Sequence, residues 1–250
     1  MINTILKKLK NGEHTIGSWL QISSPDVAEI LGNAGYDWVA VDLEHGGFSR
    51  SVIKDVFRAL ELNNTVPVAR VAQCSPQNIK EALDAGAQGI ILPMIENIEQ
   101  LENVISWSYY PPKGTRGVGY SRANLFGQNF DEYVEKFSNK VLIIAQIEHI
   151  NAVANLDDIL SVNDLDAIMV GPYDLSGSMG ITAQFDHPDF INTMDAIYKK
   201  AKQHTIPMGL HIVQPDKELL KEKIKQGYQF IAYGIDAVFL YNASKNPYKL

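Results

Sequence analysis

Three observations predict a (β/α)8 barrel for this chain. Eight short apolar runs rich in β-branched residues recur along it, each followed by a longer amphipathic stretch. The runs are nearly continuous in hydrophobicity, as expected of parallel strands covered on both faces. The seven intervals from Thr15 to Tyr228 average roughly 30 residues, the length of a βα unit. The 250-residue chain also matches the ~250 residues such a barrel takes. The predicted organisation is a single domain over residues 1–250. An open doubly wound sheet is the alternative, but it more often carries a GxGxxG turn after its first strand, and the segment after Ile22 has none.

The elements follow in order. TIGSWLQI begins at Thr15 and leads into SPDVAEILGNAG, where Ser24 suits an N-cap, Pro25 the first turn and Gly35 a stop. YDWVAVDL starts at Tyr36. VPVARV starts at Val66 and precedes SPQNIKEALDAGA, and GIILPMI starts at Gly89 and precedes NIEQLENVISWS. The prolines and glycines of YYPPKGTRGVGYSRANLFG then signal a large ordered loop before a helix around DEYVEKF, read as one elaborated βα loop. VLIIAQIE from Val141, DAIMVGP from Asp166, PMGLHIV from Pro207 and YQFIAYGI from Tyr228 complete the set.

Composition narrows the function. With 22 basic against 29 acidic residues the net charge is −7, and no Lys/Arg-rich run occurs. Binding to nucleic acid or to an anionic membrane by bulk electrostatics is therefore not expected. Cys74 is the single cysteine, which excludes an intrachain disulfide and a multi-cysteine metal site, and nothing near it marks a catalytic thiol pair. The N-terminal MINTILKKLKNGEH has no apolar core of signal-peptide length, and no stretch approaches the ~18 apolar residues that span a bilayer. The expectation is a soluble, cytoplasmic protein.

Active sites of such barrels lie at the C-terminal ends of the strands. The polar residues there are Asp42, Glu44 and His45 after the second run, Arg70 in the third, Glu96 after the fourth, Gln146 and Glu148 in the fifth, Asp174 after the sixth, and His211 in the seventh. Glu148 could be salt-bridged at the rim and Asp174 could cap a helix. As a pair on adjacent strand ends, however, two carboxylates can chelate Mg²⁺ or Mn²⁺ and leave positions for water and substrate. Gln146 and Glu148 are two residues apart and share a strand face. Arg70, one of five arginines, suits a carboxylate or phosphate, with a structural ion pair inside the barrel as the competing reading. His45 could be a satisfied core histidine or an acid/base group, and Asp42, three residues before it, could orient its ring. The alternation around Leu210 and Ile212 leaves the direction of His211 open. His14, His149, His187 and His204 are read as structural or surface residues.

These residues also carry a family pattern. YDWVAVDLEHG, VPVARV, ALDAGAQGIILPMIEN, YPPKGTRGVG with SRA, QIEHINAVANLDDIL, VGPYDLSGSMG and GIDAVFL occur in the order seen in the HpcH/HpaI aldolases, the metal-dependent class II aldolases that act with pyruvate. The sequence resembles that family from Gly17 to about Leu240. The resemblance implies that Glu148 and Asp174 ligate a divalent cation (Mg²⁺, Mn²⁺ or Co²⁺), and that Arg70 and Gln146 help hold the pyruvyl group. It implies that His45, supported by Asp42, handles a proton through a water. Gly171 and Pro172 would line the pyruvate pocket with backbone, Leu210 would pack there, and Asp84 would tie active-site loops together across subunits. It further implies a homohexamer of barrels with the last helix exchanged between neighbours. Three features depart from the pattern: Tyr173 stands where a small residue is usual, Ile235 replaces a serine before Asp236, and the GVGYSRANLFG loop is short.

The chemistry expected from these parts is reversible retro-aldol cleavage of a 4-hydroxy-2-oxo acid to pyruvate and an aldehyde, through a metal-stabilised enolate. No strand end carries a lysine for a Schiff base. The alternatives are oxaloacetate decarboxylation, acyl-CoA carbon–carbon cleavage at the same site, and a non-catalytic barrel that binds 2-oxo acids. Arg122 and Tyr173, read as facing the second substrate, predict a polar aldehyde.

Overall fold

The computed structural model describes residues 2–138 and 140–248, and its eight parallel strands close into a barrel in sequence order. They are β1 (Thr15–Leu20), β2 (Trp38–Asp42), β3 (Val66–Arg70), β4 (Gly89–Leu92), β5 (Leu142–Ile147), β6 (Ala167–Val170), β7 (Met208–Ile212) and β8 (Phe230–Tyr233). Each predicted run contains one of them. β1 pairs with both β2 and β8, which closes the sheet and leaves no edge. The helices are α1 (Ile2–Lys10), α2 (Pro25–Asn33), α3 (Arg50–Leu62), α4 (Pro76–Ala85), α5 (Ile98–Ser108), α6 (Phe130–Glu132), α7 (Ile150–Ala154), α8 (Leu156–Leu160), α9 (Pro172–Ser178), α10 (Pro188–Gln203), α11 (Lys217–Gln226) and α12 (Asp236–Ala243). Their starts follow local chemistry: the side chains of Ser24, Ser75 and Asn97 accept hydrogen bonds from the backbone N–H groups of Val27, Asn78 and Gln100.

Strand alternation sorts the apolar residues into two layers. Val39, Val41, Ala69, Ile90, Leu92, Ile143, Ala145, Ile147, Ile168, Val170 and Ile231 face outward and pack under the helices. Trp38, Ala40, Val68, Ile91, Ile144, Ala167, Met169, Phe230 and Ala232 face inward and fill the barrel as a packed core. Near its lower end Trp38 and Phe230 stack with centroids 3.9 Å apart. α1 plugs that end, with Ile2, Ile5 and Leu9 on one face joining the interior cluster. The upper end is left to polar side chains.

Two expectations are corrected. The long segment after Tyr109 follows α5, so it is an αβ connection beginning at the lower end of the barrel, not a βα loop at the mouth. It contains a 3-10 turn over Arg122–Gly127 and runs from α6 into a π-helical turn, Tyr133–Phe137, where a regular helix was predicted. Within the single chain, Val238 of α12 packs on the interior cluster and Phe239 on Tyr233. No helix among the described residues is long and apolar enough to cross a membrane.

Candidate active site at the barrel mouth

The upper end of the interior is built by alternation. Trp19, Asp42, Arg70, Gln146 and His211 stand one layer above the apolar plug, and the turns that follow add Glu44, His45, Glu148 and Asp174. Register places Asp42 directly opposite Arg70 on the neighbouring strand. Arg70 donates from Nε to Asp42 Oδ1 at 2.9 Å and from Nη2 to Oδ2 at 2.5 Å, and its Nη1 lies 3.1 Å from Glu44 Oε2. One edge of the guanidinium is thus committed to Asp42. The remaining N–H groups, on the side of Glu44, are those that can meet a substrate anion.

Asp42 is fully buried and saturated with donors. Besides Arg70 it accepts from Trp19 Nε1 at 3.1 Å, Gln21 Nε2 at 2.8 Å, and the backbone N–H groups of Glu44 and His45, each at 3.1 Å. Burial alone would raise its pKa, but the hydrogen bond and charge of Arg70, with Gln21 and His45 N–H, lower it to about 2. The expectation that Asp42 orients the His45 ring is corrected here, because its carboxylate meets His45 through the backbone only. Among the described residues the His45 ring makes no side-chain hydrogen bond, and the residue is exposed at the mouth.

Glu148 is buried at the end of β5. Its Oε1 accepts from Met94 N–H at 2.7 Å and its Oε2 from Gln146 Nε2 at 2.6 Å. Met94 reaches it from a left-handed backbone, φ 54°, an uncommon conformation for a side-chain-bearing residue. Burial pushes the Glu148 pKa up to about 7. The Met94 N–H opposes this, and the negative charges of Asp174 and Glu44 add to it. Gly171 makes the room: a Cβ there would sit 2.5 Å from Glu148 Oε2 and 2.9 Å from its Cβ. Asp174 lies in the first turn of α9, exposed to the mouth.

The donor set fits a hard divalent cation. Glu148, Asp174 and Glu44 crowd negative charge around one spot with Arg70 as the counter-charge. Gln146 Oε1 is buried there without a hydrogen-bond partner. Among the described residues no group of three or more His, Cys, Asp or Glu is placed to hold a metal ion, so Glu148 and Asp174 would act as a pair. Two carboxylates without a cage leave coordination positions for water and a chelating substrate.

The structure does not bring every predicted residue to this mouth. Leu210 packs on the outer layer, so the next residue, His211, is the one that faces inward. Its ring stacks on Trp19 at 4.7 Å, and its Nε2–H donates to the Gly234 carbonyl at 2.9 Å. Burial and the Arg70 charge depress its pKa to about 4, against the Gly234 bond and Asp42. Arg122 lies at the opposite end: Nη1 donates to Ala85 carbonyl at 2.9 Å and Nη2 pairs with Glu61, both at helix C-termini below the barrel. Asp84, near the end of α4, pairs with buried Arg116 of the long connection at 2.6 Å and does not enter its own barrel's mouth. Tyr173 does stand at the mouth, exposed, with its ring edge-on to Phe185. Burial, with the charges of Glu148 and Glu44, pushes the Cys74 thiol up to about 12, in keeping with an inert side chain. Sequence reasoning missed Trp19 and Gln21, although both share the inward parity of Thr15 and Gly17 in TIGSWLQI.

Known proteins resemble this chain over nearly its whole length. The family model described as HpcH/HpaI aldolase/citrate lyase matches residues 15–243. A hydroxypyruvate/pyruvate aldolase of Roseobacter denitrificans is 36% identical over 98% of this chain and 95% of its own length. A 4-hydroxy-2-oxovalerate aldolase of Novosphingobium aromaticivorans is 35% identical, covering 94% and 89% respectively. Among solved structures, an HpcH/HpaI aldolase/citrate lyase family protein from Burkholderia cenocepacia J2315 superposes with a TM-score of 0.91 at 30% identity, over 97% of this chain and 96% of that one.

Proposed function

Since the chain belongs to the HpcH/HpaI aldolase/citrate lyase family, we propose that it catalyses reversible cleavage of a 4-hydroxy-2-oxo acid to pyruvate and an aldehyde at this mouth. The observation that carries the reading is the buried Glu148 carboxylate, crowded by Asp174 and Glu44 and facing Arg70. That grouping is costly alone and complementary to a cation with a 2-oxo acid bound to it.

Glu148 and Asp174 would hold the divalent cation (Mg²⁺, Mn²⁺ or Co²⁺). When bound, it supplies Lewis-acid polarisation of the 2-oxo group. Arg70, held in plane by Asp42, orients the substrate carboxylate through the N–H groups on its Glu44 side. Gln146 adds a neutral polar contact beside the 2-oxo group. The backbone of Gly171 and Pro172, with Tyr173, forms the wall nearest Asp174. His45 takes the proton of the C4 hydroxyl through a water as the C3–C4 bond breaks, and a proton returns to C3 to complete pyruvate. The proposal extends to a homohexamer with α12 exchanged between neighbours. Leu240 and Tyr241 on α12 stay exposed in the single chain and would be covered by such an assembly. Within it, Asp84 ties active-site loops together across subunits.

The test is a screen of the purified protein with pyruvate, a panel of aldehydes, and Mg²⁺, Mn²⁺ or Co²⁺. Metal-dependent formation of a 4-hydroxy-2-oxo acid supports the proposal. Absence of product with every metal and aldehyde, while pyruvate binds, favours the non-catalytic alternative.

A further inference from the structure

We propose that Trp19 is a positioning residue for the reaction, acting through Asp42 and Arg70 to fix the group that receives the substrate carboxylate. The inference rests on the aldolase reading of the site. A carboxylate has about four lone-pair sites, and Asp42 meets six donors, three on each oxygen, that come from different elements. Oδ1 takes Arg70 Nε and the Glu44 and His45 backbone N–H groups, whereas Oδ2 takes Trp19 Nε1, Gln21 Nε2 and Arg70 Nη2. The chain holds Oδ1 from its own turn. The position of Oδ2, and with it the plane of the Arg70 fork, is set from β1.

Trp19 contributes twice to that plane. Its indole N–H fixes Oδ2, and its ring lies under the guanidinium, with Arg70 Cζ 5.1 Å from the ring centroid. The indole is itself anchored: it is almost wholly buried, and the His211 ring stacks on it with an interplanar angle of 22°. His211 in turn is tied to the Gly234 carbonyl. A sequence of contacts thus runs from β8 through β7 and β1 to the Asp42–Arg70 pair on β2 and β3. A guanidinium with one edge committed and one face supported presents its remaining N–H groups in a single orientation, which lowers the entropic cost of binding a planar carboxylate.

The experiment is a double-mutant cycle on pyruvate kinetics with saturating Mg²⁺, using Trp19→Phe and Arg70→Lys, with the thermal midpoint read on each sample. Phe keeps a ring for the stack and removes the N–H. Trp19→Phe alone is expected to raise pyruvate KM by about fivefold or more while kcat falls less, and in the Arg70→Lys background to change KM by less than about twofold. The same rise in both backgrounds, or a lowered midpoint with unchanged KM, overturns the proposal. Should Trp19→Phe fail to fold, pyruvate is titrated with Mg²⁺ into Trp107→Phe protein, whose other tryptophan, Trp38, is buried at the lower end of the barrel, and tryptophan emission followed. A change saturating near KM is expected, because the carboxylate draws on the guanidinium above Trp19; unchanged emission overturns the proposal. Wild-type protein that neither binds nor turns over pyruvate overturns the aldolase reading together with this one.

Discussion

Asp42 and Arg70 are register partners on β2 and β3, joined by two hydrogen bonds inside the barrel mouth. The pair makes Arg70 a held group with one edge left to offer. Arg70→Ala is therefore expected to leave Asp42 buried without its main counter-charge as well as to weaken pyruvate binding, since hydrogen bonds to charged groups contribute ~1.5–3 kcal/mol. Calorimetry with metal present checks the affinity, and unchanged pyruvate binding contradicts the assignment.

Glu148 gives a pH signature. Its folded pKa of about 7 lies above the ordinary value of 4.5, so the folded state keeps a proton that the unfolded chain has lost. The stability it contributes is full below the ordinary value and is lost as pH rises through about 7. In metal-free protein, the stability difference between wild type and Glu148→Gln should decline as pH rises through that window. Asp166 is also raised, to about 6, mainly by burial, and the difference between the two proteins removes its contribution. Denaturant titrations across the range test this, and a pH-independent difference rules it out. Cation affinity should rise with pH over the same window, because the proton must leave before the carboxylate can ligate.

Gly171→Ala isolates the space beside Glu148. The backbone there has φ −95°, so alanine meets no conformational penalty, and the effect comes from the Cβ pressing on Glu148 Oε2. Divalent-cation affinity is expected to fall by at least about tenfold with a smaller change in thermal midpoint, as when a partner that orients a ligand is disturbed. Titration calorimetry with Mn²⁺ reads it, and wild-type affinity would mean that Glu148 is free to move aside.

Arg122→Ala is expected to lower the thermal midpoint, through loss of the Glu61 pair and the Ala85 carbonyl bond, by roughly 1–3 kcal/mol of stability. Gly86 is built around that side chain: it adopts φ 112°, and a Cβ there would sit 1.8 Å from Arg122 Nη1. The ratio of kcat/KM between succinic semialdehyde and propanal should not change. A loss confined to the acidic aldehyde would place Arg122 in a neighbouring subunit's mouth.

Much of this was legible from residue order. Glu148 two places after Gln146 in an apolar run, Arg70 closing VPVARV, and Asp174 opening the helix after Gly171-Pro172 all stood at strand ends, and strand ends of a barrel converge. What was not legible depended on facts that pattern does not carry. Asp42 could have served His45, three residues on, or Arg70, 28 away; sheet register chose Arg70. The parity of β7 depends on stagger around the barrel, which turned Leu210 outward and His211 inward. The prolines and glycines of the long connection mark a loop without saying which end of the barrel it joins. The helix NIEQLENVISWS before it had already returned the chain to the lower end.

The Glu148–Asp174 pair with a divalent cation is expected to promote carbon chemistry at C3 of a bound 2-oxo acid. Exchange of the pyruvate methyl protons in deuterated water, followed by NMR, tests it without choosing an aldehyde. EDTA-treated wild-type protein should be silent, Mg²⁺ or Mn²⁺ should restore exchange, and Glu148→Gln should exchange at least about a hundredfold more slowly with either metal. Wild-type exchange rates in the metal-free protein, or in Glu148→Gln, would contradict the account.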